Sequence, residues 1–517
     1  MCHRTPSVTV MSPRAHSSLR RINTMFLAVS MAALASCGGG TSGNDTTSSV
    51  PDSTADSVTD TTSSTTKYSI TWTDCDELKC ARMNVPYDYD NPEIGSFSLN
   101  IVMRPATKKA QRIGSMLVNP GGPGFGGTEI ARNTAYYLTD SLLDYFDIVG
   151  WDPRGTGDTT PSVDCVDNFD LYMKADSSPD DEAEKQALIA EQQAFVDECE
   201  KKSGEILPYL STASTARDMN SIRIALGEEK ITYFGFSYGS ELGATWATMF
   251  PSTVRAAVLD GASEPNISGI DSTLRQAAGF EQQLTRFLAQ CSATPKCPFY
   301  NGGNAFKAFD RLIVDLDNKP LVVTPDRVAV SQSVAYTAVS QAMYSSALWP
   351  DLEKALDEAR NGDGAGLLKL YDSYYQRKED GTFSNELEAF LAISCLDDPG
   401  PKTVEENDSY NSQFLETAPR IGPSFINSYQ CALWPVEQAE TVTITGKGAG
   451  PIVVIGTTGD AATPLESSRK MATTLEEGIF IKVTAERHTG YGVNYCVVNA
   501  ADDYLINLKL PTKGLSC

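Results

Sequence analysis

Two short stretches and one isolated side chain of this 517-residue chain have the types to do chemistry together. Gly235-Phe-Ser237-Tyr-Gly239 is a G-x-S-x-G pattern. Alone it is a weak sign, and its setting strengthens it. The apolar run Ile231-Thr-Tyr-Phe-Gly235 precedes it and the helix-competent run Glu241 to Phe250 follows. That is the strand–turn–helix in which small neighbours tolerate a strained turn and a serine hydroxyl is exposed. A serine attacks an acyl carbon only when a base takes its proton. Of three histidines, His3 and His16 fall in a segment read below as a removed leader, which leaves His488 as the imidazole base. A base of this kind must be neutral, so activity is expected to fall on acidification through about 6 to 7, where a free imidazole titrates. The carboxylate that orients it is expected at Asp460, which closes Ile455-Gly-Thr-Thr-Gly-Asp460 after an apolar run; Asp260, Asp397 and Asp398 compete for the role. A helix is expected to open directly after it, with Thr463-Pro464-Leu-Glu466 as a capping box and Pro464 at the first helical position.

Acyl transfer also needs donors for the developing oxyanion. The backbone N–H of Tyr238, next to the nucleophile, is one candidate. The other lies in Pro120-Gly-Gly-Pro-Gly124, where missing side chains let a backbone approach; Gly122 is the best single residue and Gly121 the next. The same loop lacks the G-K-[ST] ending and the G-x-G-x-x-G opening of phosphate-binding loops, so phosphate binding ranks well below. No cofactor is implied.

Positioning these groups requires a sheet. Ser96–Met103 alternates as a half-buried strand does, whereas Ser115–Asn119, Tyr145–Trp151, Ile231–Gly235, Val254–Leu259, Pro451–Gly456 and Ile479–Val483 are short apolar runs separated by helix-like sequence. The pattern predicts an α/β fold with a mostly parallel sheet covered on both faces. His488, just after the last run, sits where a loop presents it above the sheet. The interval between Leu259 and Pro451 is too long for a connection. It carries helical patterns at Leu274–Ala289 and Leu352–Leu368 and reads as an inserted, largely helical subdomain. A smaller insertion after Pro161 contains an acidic, Gln-rich helix around Glu182–Lys202, expected to be a solvated surface helix. The divisions are 1–36, 37–67, 68–265, 266–445 and 446–517.

The first of these is an address. Residues 1–36 carry four arginines and no acid, then the apolar run Met25–Leu34, too short for a permanent membrane span. The ending Leu34-Ala35-Ser36-Cys37 resembles a bacterial lipobox, with Cys37 lipidated as the mature N-terminus. Arg20-Arg21 is a weak twin-arginine sign. Residues 37–67, rich in Gly, Ser, Thr and Asp, form a tether that cannot bury enough apolar surface to order itself. The expectation is an exported protein on the bacterial surface or facing the periplasm, touching membrane only through its lipid. Beyond Cys2 and Cys37, ten of the twelve cysteines remain: Cys75, Cys80, Cys165, Cys199, Cys291, Cys297, Cys395, Cys431, Cys496 and Cys517. In an exported chain an even count implies disulfides, with neighbour pairing the simplest guess. With no CxxC and so few histidines, no metal site is expected. The net charge of −24 leaves no basic footprint for nucleic acid.

Together these segments resemble the tripeptidyl aminopeptidase family of α/β-hydrolases, exported serine peptidases related to proline iminopeptidases. The matching stretches are Trp72–Cys75, Cys80–Pro86, Asn119–Gly124, Trp151–Gly155, Gly235–Gly239, Val258–Gly261, Cys431–Pro435 and Asp460–Pro464, spread from about Tyr68 to Cys517. The resemblance implies an α/β-hydrolase core, a helical cap and a Ser237–Asp460–His488 triad. It also implies release of short units from peptide N-termini, or hydrolysis of related amides and esters. The chain departs from the family in Glu486-Arg487, where glycines often precede the histidine, and in Ser263-Glu264-Pro265, where Asp-Pro is more usual. An aminopeptidase must hold a substrate ammonium, and Glu264 and Asp397 are the candidates. Two other readings stand beside the peptidase: an esterase or lipase of small acyl esters, and a non-catalytic binding lipoprotein on a hydrolase scaffold.

Overall fold

Successive residues of the buried strands fall into two different apolar clusters, one on each face of the sheet. Leu117 packs on one side while Met116 and Val118 pack on the other; Tyr233 opposes Phe234 and Phe236; Ile452 and Val454 oppose Val453 and Ile455. This two-residue alternation inside a continuous apolar run is what a strand covered on both faces requires. The computed structural model describes residues 68–398 and 400–517; the leader 1–36, Cys37 and the stretch 37–67 lie outside the described residues.

Among the described residues the strands are β1 (Thr73–Cys75), β2 (Leu78–Pro86), β3 (Ser96–Arg104), β4 (Gly114–Asn119), β5 (Phe146–Trp151), β6 (Ile231–Phe236), β7 (Val254–Asp260), β8 (Ile452–Thr457) and β9 (Gly478–Val483). They form one sheet in the order β1-β2-β3-β5-β4-β6-β7-β8-β9. The first three pairings are antiparallel and those from β5 through β9 are parallel. Seven of these strands match the runs seen in sequence. The β1–β2 hairpin is additional; its signal is the alternation of Ala81, Met83 and Val85, buried between exposed Arg82 and Asn84.

Between β7 and β8 lie the helices Gly269–Ala293, Ala305–Asn318, Gln332–Met343, Trp349–Arg360, Ala365–Tyr374 and Glu386–Asp397, with shorter ones after them. The single helix expected over Leu352–Leu368 is in fact two. Asn361-Gly-Asp-Gly364 interrupts it with Gly362 at φ 93°, a value that ends an α-helix. The acidic helix Glu182–Ser203 is not a fully solvated one: Leu188, Gln192, Phe195, Val196 and Cys199 are buried along one side. Disulfides join Cys75–Cys80, Cys165–Cys199, Cys291–Cys297, Cys395–Cys431 and Cys496–Cys517.

Candidate active site

β6 ends at Phe236 and the helix Tyr238–Met249 starts two residues later, so Ser237 occupies the whole turn. Its φ of 55° and ψ of −128° are costly for a residue with a Cβ. Strand and helix meet here so closely that a Cβ on Gly235 would lie 2.2 Å from the carbonyl oxygen of Gly239, and one on Gly239 would lie 2.8 Å from the carbonyl oxygen of Asn119. The turn is tied to the neighbouring strand by Ser237 N–H donating to the Asp260 carbonyl at 2.8 Å.

Asp460 and His488 leave adjacent strands, β8 and β9, at the same end of the sheet as Ser237. The Asp460 carboxylate accepts from His488 Nδ1 with both oxygens at 2.9 Å. It also accepts the backbone N–H of Thr463 at 2.8 Å and of Thr489 at 3.2 Å, and the Thr463 hydroxyl at 3.1 Å. With Nδ1 facing Asp460, the other ring nitrogen is Nε2; it is buried and without a hydrogen-bond partner among the described residues. Catalytic hydrogen bonds of this kind are often long before substrate binds.

The capping box expected at Thr463 does not form. The helix runs Leu465–Thr474 after Pro464 with no side-chain cap, because the Thr463 hydroxyl is turned back to Asp460 and lies 3.3 Å from His488 Nδ1. Thr463 is therefore a site residue that its sequence setting concealed. The competing acid Asp260 takes another place: it accepts Gly490 N–H and Tyr491 N–H, both at 2.7 Å, and so pins the loop behind His488. Burial pushes its carboxyl up to about 6 despite those two bonds.

The glycine loop after β4 presses on the elbow. A Cβ on Gly121 would come within 2.8 Å of Ser237 Cβ and 3.1 Å of Tyr238 N. Gly121 N–H donates inward to Asn119 Oδ1 at 2.9 Å, whereas Gly122 lines a cavity of about 610 Å³ together with Ser237, Tyr238 and Thr463.

Acids gather in that cavity: Glu241, Glu264, Asp397 and Asp398 line it. Glu264 is ion-paired with Arg275. Asp397 accepts Thr212 N–H at 3.0 and 3.1 Å and the Thr212 hydroxyl at 2.6 Å, and that hydroxyl meets the Tyr238 hydroxyl. Burial pushes Asp397 up to about 7, restrained by Thr212 and reinforced by the negative charge of Glu241 and Asp398. Asp398 is pushed up to about 6, again by burial. The competitors Asp397 and Asp398 are thus cavity groups and make no contact with His488.

Residues 114–492 match the model of the alpha/beta hydrolase fold family. The chain is 33% identical over 477 residues to the serine protease Hip1 of Mycobacterium tuberculosis, covering 87% of this chain and 91% of that one. It is 34% identical over 475 residues to a carboxylesterase B of Mycobacterium tuberculosis, covering 86% and 89%. With a tripeptidyl aminopeptidase of Streptomyces lividans it shares 29% over 480 residues, covering 87% and 86%.

Proposed function

The chain belongs to the alpha/beta hydrolase family, and we propose that it uses Ser237, His488 and Asp460 as a triad to release short units from peptide N-termini. It is a serine hydrolase with peptidase activity. The observation that carries the triad is the buried His488 held by Asp460 at 2.9 Å, at the same end of the sheet as a serine on a strained strand–helix turn.

In the proposed reaction His488 Nε2 takes the Ser237 proton as the hydroxyl oxygen bonds to the acyl carbon. The charge on the carbonyl oxygen is met by Tyr238 N–H and Gly122 N–H. The imidazolium, stabilised by Asp460, then gives its proton to the departing amine, leaving an acyl-serine. Water attacks this ester by the same route in reverse, with His488 again as base, and Ser237 is regenerated. The cavity volume, inside the usual range for small-ligand sites, suits a few residues of an extended peptide rather than a folded protein.

A free substrate amine is cationic and needs a counter-charge. Asp397 and Glu264 are the proposed partners, with Glu241 and Asp398 adding to the same field. Since Arg275 already compensates Glu264, Asp397 carries more of this proposal. Export and anchorage through Cys37 are proposed from sequence; no helix among the described residues is long and apolar enough to cross a membrane.

A panel of peptidyl amides with free and blocked N-termini, run beside small acyl esters, tests the reading. Faster turnover of free-amine tripeptidyl amides is expected. Esters turned over with no peptide cleaved would make the enzyme an esterase, the activity named for one of its relatives.

A further inference from the structure

The long cap helix Gly269–Ala293 lies along the loop that carries Asp460. Gln276 donates to the Ala462 carbonyl at 3.1 Å. At Gly279 the backbone comes so close that an added Cβ would sit 2.4 Å from the Ala461 carbonyl oxygen. One turn further on, Gln283 donates through Nε2 to the Gly459 carbonyl and, at 3.0 Å, to Glu486 Oε2. Arg286 then pairs with the same carboxylate. Residues 276, 279, 283 and 286 share one helical face at three- and four-residue spacing, and what that face touches is residues 459–462 and Glu486. Gly459 immediately precedes Asp460, and Glu486 stands two residues before His488.

We propose that Gln283 is a positioning residue of the cap that holds the Asp460 loop and the His488 loop in register with one amide. The proposal rests on the triad reading above. Gln283 is 1% exposed and its bond to Gly459 is buried, whereas the Arg286–Glu486 pair is partly in solvent and fixes less. Gly459 shows that the clamp closes tightly. A Cβ there would lie 2.2 Å from Glu486 Oε2 and 2.5 Å from Gln283 Nε2. The cap also grips the His488 loop by backbone: Ser346 N–H donates to the Glu486 carbonyl at 2.9 Å and His488 N–H to the Tyr344 carbonyl at 2.8 Å. Glu486 thereby acquires a purpose. It is the acceptor through which a cap residue reaches the histidine loop.

The test compares wild type with Gln283→Met, which keeps the unbranched length and removes the amide, and with Gly459→Ala, which wedges the clamp apart. Displacing the orienting acid relative to the base lowers the chemical step more than substrate binding. We expect kcat on a peptidyl amide to fall on the order of 10- to 100-fold, with KM nearly unchanged and the unfolding midpoint close to wild type. Wild-type kcat in either folded variant overturns the clamp. If Gln283→Met does not fold, Gly459→Ala alone decides, since it leaves Gln283 in place. A phosphonate that labels Ser237 in wild type, with hydrolysis lost in Ser237→Ala, shows that the triad reading stands even where the clamp fails. Hydrolysis that survives Ser237→Ala is a failure of the triad instead.

Discussion

Asp460 is held by four groups, more than orientation of an imidazole demands. Thr463 supplies two of them, and its hydroxyl is within reach of both the carboxylate and His488 Nδ1. A hydrogen bond to a charged group contributes about 1.5–3 kcal/mol. Thr463→Val, which keeps the shape and the backbone bond, is therefore expected to lower kcat/KM on the order of tenfold or more. Steady-state kinetics on one peptidyl amide checks this. Asp397 yields a second expectation. With its carboxyl pushed up to about 7, it is charged above that value and neutral below it. KM for free-amine peptides should then rise as pH falls from 8 to 6, while KM for N-blocked esters stays flat. Asp397→Asn should remove the difference, and a KM that moves equally for both substrates would contradict the ammonium assignment. The candidates Ser237, His488 and Asp460 were legible because residue type, chain order and scarcity of histidine single them out. Thr463 was not, because Thr-Pro-x-Glu reads equally well as a helix start, and only the fold shows which way its hydroxyl turns.

The helix Glu386–Asp397 and the residue after it carry four carboxyls titrating unusually high. Glu386, Glu388 and Asp397 are pushed up to about 7 and Asp398 to about 6, in each case chiefly by burial. A folded state with raised acid values binds protons that the unfolded chain has already released. The resulting stabilisation is present at low pH and is lost as pH rises from about 4, where these acids titrate when exposed, through about 7. Glu388, which accepts Val166 N–H at 2.7 Å, offers a clean probe. Glu388→Gln keeps an acceptor and removes the charge. Its melting midpoint should exceed wild type at pH 8 and approach it near pH 4, as followed by circular dichroism. Equal midpoints at pH 8 would contradict the buried-charge account. At this scale the strands were legible because a buried parallel strand is a short apolar run. The cap helices were less so: Gly362 splits an apparently continuous pattern, and the solvated look of Glu182–Ser203 hid a buried face that only tertiary packing defines.

Taken whole, the molecule is a sheet whose candidate-site end is contacted by inserted helices, and covalent links reinforce both parts. Cys395–Cys431 closes a segment of 36 residues within the insertion. In the loop-entropy account such a link contributes about 4 kcal/mol, so the Cys395→Ser/Cys431→Ser double variant should lose roughly that amount in denaturant unfolding. That helices are inserted between these strands was legible from the interval between two strand runs. Its seating on the Asp460 and His488 loops was not, because contacts such as Gln283 with Gly459 join residues far apart in the chain. The claim on which the rest depends is that Ser237 is the nucleophile. Treating the protein with a serine-directed phosphonate and locating the adduct by peptide mass spectrometry tests it most directly. The account predicts one adduct per chain, on Ser237, with peptide hydrolysis abolished in step and no adduct in Ser237→Ala or His488→Ala. An adduct on another residue, or hydrolysis undiminished in Ser237→Ala, would contradict it.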